Sequence, residues 1–177
     1  MVAYTPVRAE DGPSAAAILL AVIGALTIAG FLFFQYGLGY PPCPLCLDQR
    51  NAFYASVPLA VLLWVGTNYG ASRKVIVAGF VVIAAIMLWN TGLSAYHAGI
   101  EWKFWPGPSD CSGPVNNFGS AANLMKQLQS IHIVRCDEAA WRFLGISLAG
   151  YDVLVSLFLM VVAACGAKAA WRRPAEG

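Results

Sequence analysis

From Gly12 to Leu47 the chain carries no charged residue, and within that stretch Ala15 to Tyr36 is almost entirely apolar. A second charge-free stretch runs from Asn51 to Ser72 with Pro58 inside it. A third runs from Val75 to Ile100, interrupted only by the ionisable His97, and a fourth from Val153 to Ala167. The fourth lengthens if Gly145 to Asp152 is its interfacial beginning. A helix of about 20 apolar residues crosses the ~30 Å of bilayer hydrocarbon. Four such segments in 177 residues leave too little polar chain to cover a soluble core. Charged residues make up only 11% of the chain, against roughly 25% in a soluble domain. The expected fold is therefore an all-α membrane protein. It is a four-transmembrane-helix bundle forming one domain over 1–177, with spans at about 15–36, 51–69, 75–97 and 147–167. The first span is read as retained, because its apolar part exceeds the roughly 7–15 residues of a signal peptide.

Short basic segments belong on the cytoplasmic side. Arg8 precedes the first span, Arg73-Lys74 join the second to the third, and Lys168, Arg172 and Arg173 follow the fourth. Both termini are then expected inside, with the connections at about 37–50 and 98–146 outside. The net charge of +2, without a Lys/Arg cluster, gives no footprint for nucleic acid.

That topology gathers chemistry on the outer face. Four of the five cysteines, Cys43, Cys46, Cys111 and Cys136, fall there, while Cys165 sits alone near the inner end of the last span as a small packing residue. Disulfides persist in oxidising compartments such as the bacterial periplasm. Four cysteines allow three pairings. Adjacency in Cys43-Pro44-Leu45-Cys46 favours one pair and leaves Cys111 with Cys136. Zinc is the competing chemistry, with His132 as a further ligand, but 24 residues between Cys111 and Cys136 are poor ligand spacing. A purely structural role for both disulfides is the other alternative.

Arg50 discriminates between these readings. If the second span begins near Cys46, Arg50 lies at i+4 on the same face. A Cys46 thiolate would then sit at a helix N-terminus beside a guanidinium, and both lower a thiol pKa. An arginine at membrane depth costs roughly 2.5–3.5 kcal/mol at the bilayer centre and less at the interface, and simple snorkelling is the plain account of it. In the second outer connection, Trp102, Phe104 and Trp105 resemble an interfacial belt beside Pro106-Gly107-Pro108. Cys111 follows in a turn-rich stretch, and Ala121 to Ile133 is predicted as a short extra helix. Gly24, Ala25, Ala29 and Gly30 are expected to serve helix packing, and Asp152 to cap its span or face the interface.

These motifs resemble the DsbB-type disulfide bond formation proteins of bacterial inner membranes. The resemblance rests on Pro42-Cys43-Pro44-Leu45-Cys46-x-x-Gln49-Arg50 after the first span. It rests also on Cys136-Asp137-Glu138-x-x-Trp141-x-Phe143-Leu144-Gly145-Ile146-Ser147 leading into the last. Some members carry an acidic residue where this chain has Gln49, so no carboxylate role attaches there. The resemblance implies a thiol:quinone oxidoreductase. A periplasmic thioredoxin-like partner of DsbA type attacks Cys111 and frees Cys136, and Cys136 attacks Cys43. Cys46 then passes electrons to membrane ubiquinone or menaquinone, with Arg50 stabilising the charge. His97, near the outer end of the third span, either donates a hydrogen bond to a quinone oxygen or is an interfacial histidine satisfied locally.

Overall fold

A computed structural model describes residues 12–108 and 136–172. Four long helices run in chain order: α1 (Gly12–Leu32), α2 (Pro44–Asn68), α3 (Arg73–Glu101) and α4 (Leu148–Trp171). Local signals set their ends. Cys43 caps α2 and Pro44 occupies its first turn, where the missing N–H costs nothing. Gly70, with a positive φ of 78°, turns the chain between α2 and α3. Ser147 caps α4 by accepting a hydrogen bond from the Gly150 N–H at 3.2 Å.

α1, α3 and α4 are each long and apolar enough to cross a membrane, α1 together with the turn that follows it. With membership of the family described below, this makes the chain a multi-pass bacterial membrane protein. α2 is about 37 Å long at 1.5 Å per residue, but its first turns hold Asp48, Gln49, Arg50 and Asn51. The helices pack around one core formed by Ala17 and Leu20 of α1, Phe53 and Leu63 of α2, Phe80, Ile83 and Met87 of α3, and Leu159 and Ala163 of α4. Apolar residues also face outward, among them Leu26, Leu62, Trp89 and Val161. Apolar side chains on both faces are the mark of helices solvated by lipid.

Close helix approach depends on glycine at particular places. A Cβ at Gly166 would lie 2.7 Å from the Phe80 ring, and one at Gly24 would lie 2.7 Å from Val57. Of the four small residues expected to pack, only Gly24 is buried against a neighbour; Ala25 and Ala29 face outward, and Gly30 has open space beside it. Cys165 is also exposed rather than packed.

Two features depart from plain helix. α1 ends in a π-helical turn, Phe33–Gly37. A short antiparallel hairpin pairs β1 (Arg142–Phe143) with β2 (Ile146–Ser147), so the all-α expectation misses a small strand pair before α4. Its turn residues Leu144 and Gly145 both have positive φ, 50° and 82°, which closes a two-residue turn of the type hairpins favour. The extra helix predicted at Ala121 to Ile133, and with it His132, lies outside the described residues.

At one end of the bundle Arg73 lies over the Trp171 ring, 5.0 Å from its centroid. The basic α2–α3 connection and the end of α4 therefore meet there. The Cys43–Cys46 segment lies at the opposite end of α2.

Candidate active site

The Cys43–Cys46 segment is built as a helix start. The Cys43 sulfur takes the place usually held by a serine or aspartate oxygen and accepts a hydrogen bond from the Cys46 N–H at 3.2 Å. Both thiols are free, and they have different surroundings. Cys43 is buried in a small cluster with Leu45, Ile100 and Cys136. Its Sγ lies 3.7 Å from His97 Nε2. The ligand atoms of Cys43, His97 and Cys136 all fall within 4.8 Å of one another. Cys46 instead lines an apolar cavity of about 60 Å³ with Phe31, Phe34, Pro42, Arg50 and Leu148.

The dithiol shares its charge unequally. A hydrogen bond from Cys46, aided by His97 and opposed by burial, lowers Cys43 to about 5. Giving that hydrogen bond raises Cys46, as do burial and the Cys43 charge. The thiolate of the reduced pair therefore rests on Cys43. This corrects the expectation that Cys46 and Arg50 would hold it, because the capping position of α2 belongs to the first cysteine. Once Cys43 forms a disulfide, the bond that raises Cys46 is gone.

His97 is held by its own neighbours. The Gln49 side-chain amide donates to its Nδ1 at 3.1 Å, which leaves the ring hydrogen on Nε2, facing the Cys43 sulfur. Glu101 lies one turn further along α3, with Oε1 3.9 Å from the same Nε2. Its carboxylate also accepts a hydrogen bond from the Ser147 hydroxyl. His97 thus stands on the Cys43 side and is not among the residues lining the cavity. Gln49, Glu101 and Ser147 were missed in the sequence, since each acts through a neighbour that only the fold supplies.

Arg50 is buried on the Cys46 face, as i+4 spacing requires. One guanidinium nitrogen donates to Gln35 Oε1 at 2.5 Å, and the group lies 5.5 Å from the Phe31 ring centroid. Its Nε has no partner among the described residues. Gln35 is presented by the π-helical turn, and its one signal in the sequence is a lone amide in an apolar run. Trp141, carried to the site by the hairpin segment, packs on Phe34 at 5.1 Å. A second cavity of about 210 Å³ shares Phe31, Phe34 and Leu148 with the first. Aromatic walls, a thiol and a guanidinium with an unused N–H fit a flat, polar-edged ring such as a quinone.

Cys136 is buried and disulfide-bonded; Cys111 lies outside the described residues. Lys103 holds the Cys136 segment beside the end of α3, with Nζ 2.8 Å from both the Asp137 carboxylate and its carbonyl oxygen. Cys43, His97 and Cys136 have the ligand chemistry of a zinc site, but a disulfide-bonded sulfur is no thiolate donor, so metal would require Cys136 reduced.

The family model for "Disulfide bond formation protein DsbB" matches residues 13–166. A Disulfide bond formation protein B of Xanthomonas axonopodis pv. citri is 31% identical over 144 residues, covering 75% of this chain and 80% of the relative. One from Albidiferax ferrireducens is 31% identical over 143 residues, covering 78% and 76%. One from Psychrobacter is 26% identical over 151 residues, covering 82% and 84%. With its paired cysteines at the end of a bundle of apolar helices, the chain belongs to the DsbB family of disulfide bond formation proteins.

Proposed function

We propose that the protein is a quinone-dependent thiol oxidase that reoxidises a periplasmic thioredoxin-like dithiol protein of DsbA type. One observation carries this reading: the two sulfurs of one C-x-x-C have different surroundings. Cys43 stands beside Cys136, and Cys46 lines an apolar cavity with a buried arginine.

The steps follow from that division. The partner's thiolate attacks Cys111, and its electrons displace Cys136 from their disulfide. Cys136 attacks Cys43 of an oxidised Cys43–Cys46 pair and releases Cys46 as a thiolate at the cavity. His97 Nε2–H faces the Cys43 sulfur and favours negative charge there. Arg50 favours negative charge at Cys46 and on the substrate ring. A quinone drawn from the membrane supplies the two-electron acceptor. The partner's second thiol then displaces Cys111, whose thiolate retakes Cys136 and frees Cys43; when Cys43–Cys46 forms again, each of its two sulfurs has lost one electron and the ring has gained two. Structural disulfides alone do not call for a buried guanidinium beside one thiol, which argues against a non-catalytic scaffold.

The reading places the protein in the bacterial inner membrane with α2 as its fourth span, both termini cytoplasmic and the four redox cysteines periplasmic. The full-length protein in detergent, given a reduced thioredoxin-like protein, should reduce ubiquinone or menaquinone, and Cys46→Ser should abolish that turnover. Undiminished turnover in Cys46→Ser contradicts the role of Cys46.

A further inference from the structure

The second cavity, which shares three wall residues with the first, is lined by a group that the thiol chemistry leaves unused. Its lining includes Thr27, Gly30, Tyr151 and Asp152 beside the apolar Phe31, Phe34, Leu148 and Val155. Thr27 spends its hydroxyl hydrogen on the Ile23 carbonyl at 2.8 Å, and Tyr151 spends its own on the Phe143 carbonyl at 3.1 Å. A Cβ added at Gly30 would touch nothing within 4 Å, so the cavity is open there.

Asp152 differs from these neighbours. It is 3% exposed, on α4 inside a segment apolar enough to span a bilayer. Its Oδ2 accepts hydrogen bonds from Asn90 Nδ2 at 3.2 Å and Ser94 Oγ at 2.5 Å. Asn90 also donates to Ser156 Oγ at 2.9 Å. Asp152 Oδ1 has no partner among the described residues. Neither ion pair found among them involves Asp152. Burying an unpaired carboxylate costs far more than burying the acid, and an ionisable group at membrane depth marks function by default. Asn90 and Ser94 hold one oxygen still, and the other is buried without a partner on a side chain that lines the cavity, an arrangement that helix packing does not require. Ser94 lies one turn before His97 on α3, so polar groups run from Asp152 toward the thiol cluster.

We propose that Asp152 is a proton-transferring catalytic residue for the acceptor: its carboxyl gives a proton to one oxygen of a quinone ring whose other oxygen lies toward Arg50. The proposal rests on the quinone-reducing reading and adds a residue to it. The balance closes over the whole cycle. The partner dithiol gives up two protons and two electrons as it becomes a disulfide, and the ring's two C=O groups become two C–OH groups. Asp152 gives one proton to the ring, becomes a carboxylate as it does so, and is reprotonated from the water that receives the partner's protons.

Two measurements test this on the full-length protein, with decylubiquinone as the probe. In Asp152→Asn, kcat for decylubiquinone reduction should fall about a hundredfold, the scale of general acid catalysis. KM should move only slightly, and the rate of thiol exchange with the dithiol partner should match wild type. An unchanged kcat overturns the proposal, as does an equal slowing of thiol exchange, which would mark a structural role. The second measurement uses the wild-type protein and stands if the variant fails to fold. Dicyclohexylcarbodiimide, which reacts with protonated carboxyls in apolar surroundings, should modify Asp152, and decylubiquinone should protect it. Labelling elsewhere only, or labelling that decylubiquinone does not slow, overturns the proposal. A wild-type protein that reduces no decylubiquinone would remove the quinone-reducing reading itself; a fully active Asp152→Asn removes only the role of Asp152.

Discussion

The Trp171 end of the bundle and its cysteine-bearing end are built on opposite principles. At the first of these the buried side chains, among them Leu63, Ile76, Phe80 and Ala163, are apolar, and glycines such as Gly166 let the helices meet closely. At the other end Gln49, Arg50, His97, Glu101, Ser147 and Asp152 are all buried within a few turns of one another. Lipid gives little hydrophobic drive to helix association, so the Trp171 end is held by fit. Polar burial at the cysteine-bearing end works against stability unless each group is satisfied, yet Arg50 Nε, Asn90 Oδ1 and Asp152 Oδ1 have no partner among the described residues. Fit supplies the stability that lets the other end keep unsatisfied groups for chemistry.

Substitutions at the two ends should therefore separate stability from reactivity. The largest effect is expected from Phe80→Ala, which empties the contact with Gly166. It should cost about 3 kcal/mol, at the low end of the range for such truncations because lipid, unlike water, solvates displaced apolar groups well. Denaturant unfolding in detergent measures this, and the Cys43 titration should not move. A shifted titration would mean that the two ends are coupled.

Arg50→Ala is next. Losing a charged hydrogen-bond donor at the cavity should raise the quinone KM about thirtyfold, equivalent to ~2 kcal/mol, with little change in thermal stability. An unchanged KM would return Arg50 to the interfacial snorkelling that its position alone allows.

The third effect is the smallest. The Cys43 thiolate forms above its pKa, so in the reduced protein the thiolate ultraviolet absorbance of the first titrating cysteine should appear on raising the pH through about 5 and vanish below it. His97→Asn should move that midpoint up by about one pH unit, since the ring's contribution is secondary to that of Cys46. The same midpoint in His97→Asn would mean that the imidazole contributes nothing to the thiolate.

The helix pattern was readable in the sequence because charge-free stretches leave few alternatives in lipid. So was the common face of Cys46 and Arg50, because i+4 spacing holds in any helix. Which sulfur caps α2 depends on the helix start, which falls at Pro44, two residues before Cys46. The orientation of His97 was decided by Gln49, 48 residues away, and the partner of Arg50 by a π-helical turn, which single-sequence periodicity does not reveal. Asp152 looked like an interfacial residue because its partners Asn90 and Ser94 lie on another helix. Polar residues inside otherwise apolar runs were the available signal.

The division of the two sulfurs is tested most directly by which cysteine pairs with Cys136. In Cys46→Ser/Cys111→Ser, mild oxidation should join Cys43 to Cys136 in nearly all molecules, read by mass mapping of the non-reduced protein. In Cys43→Ser/Cys111→Ser, Cys46 should remain largely unpaired with Cys136 under the same treatment. Equal disulfide formation in the two variants would contradict the division of labour between Cys43 and Cys46.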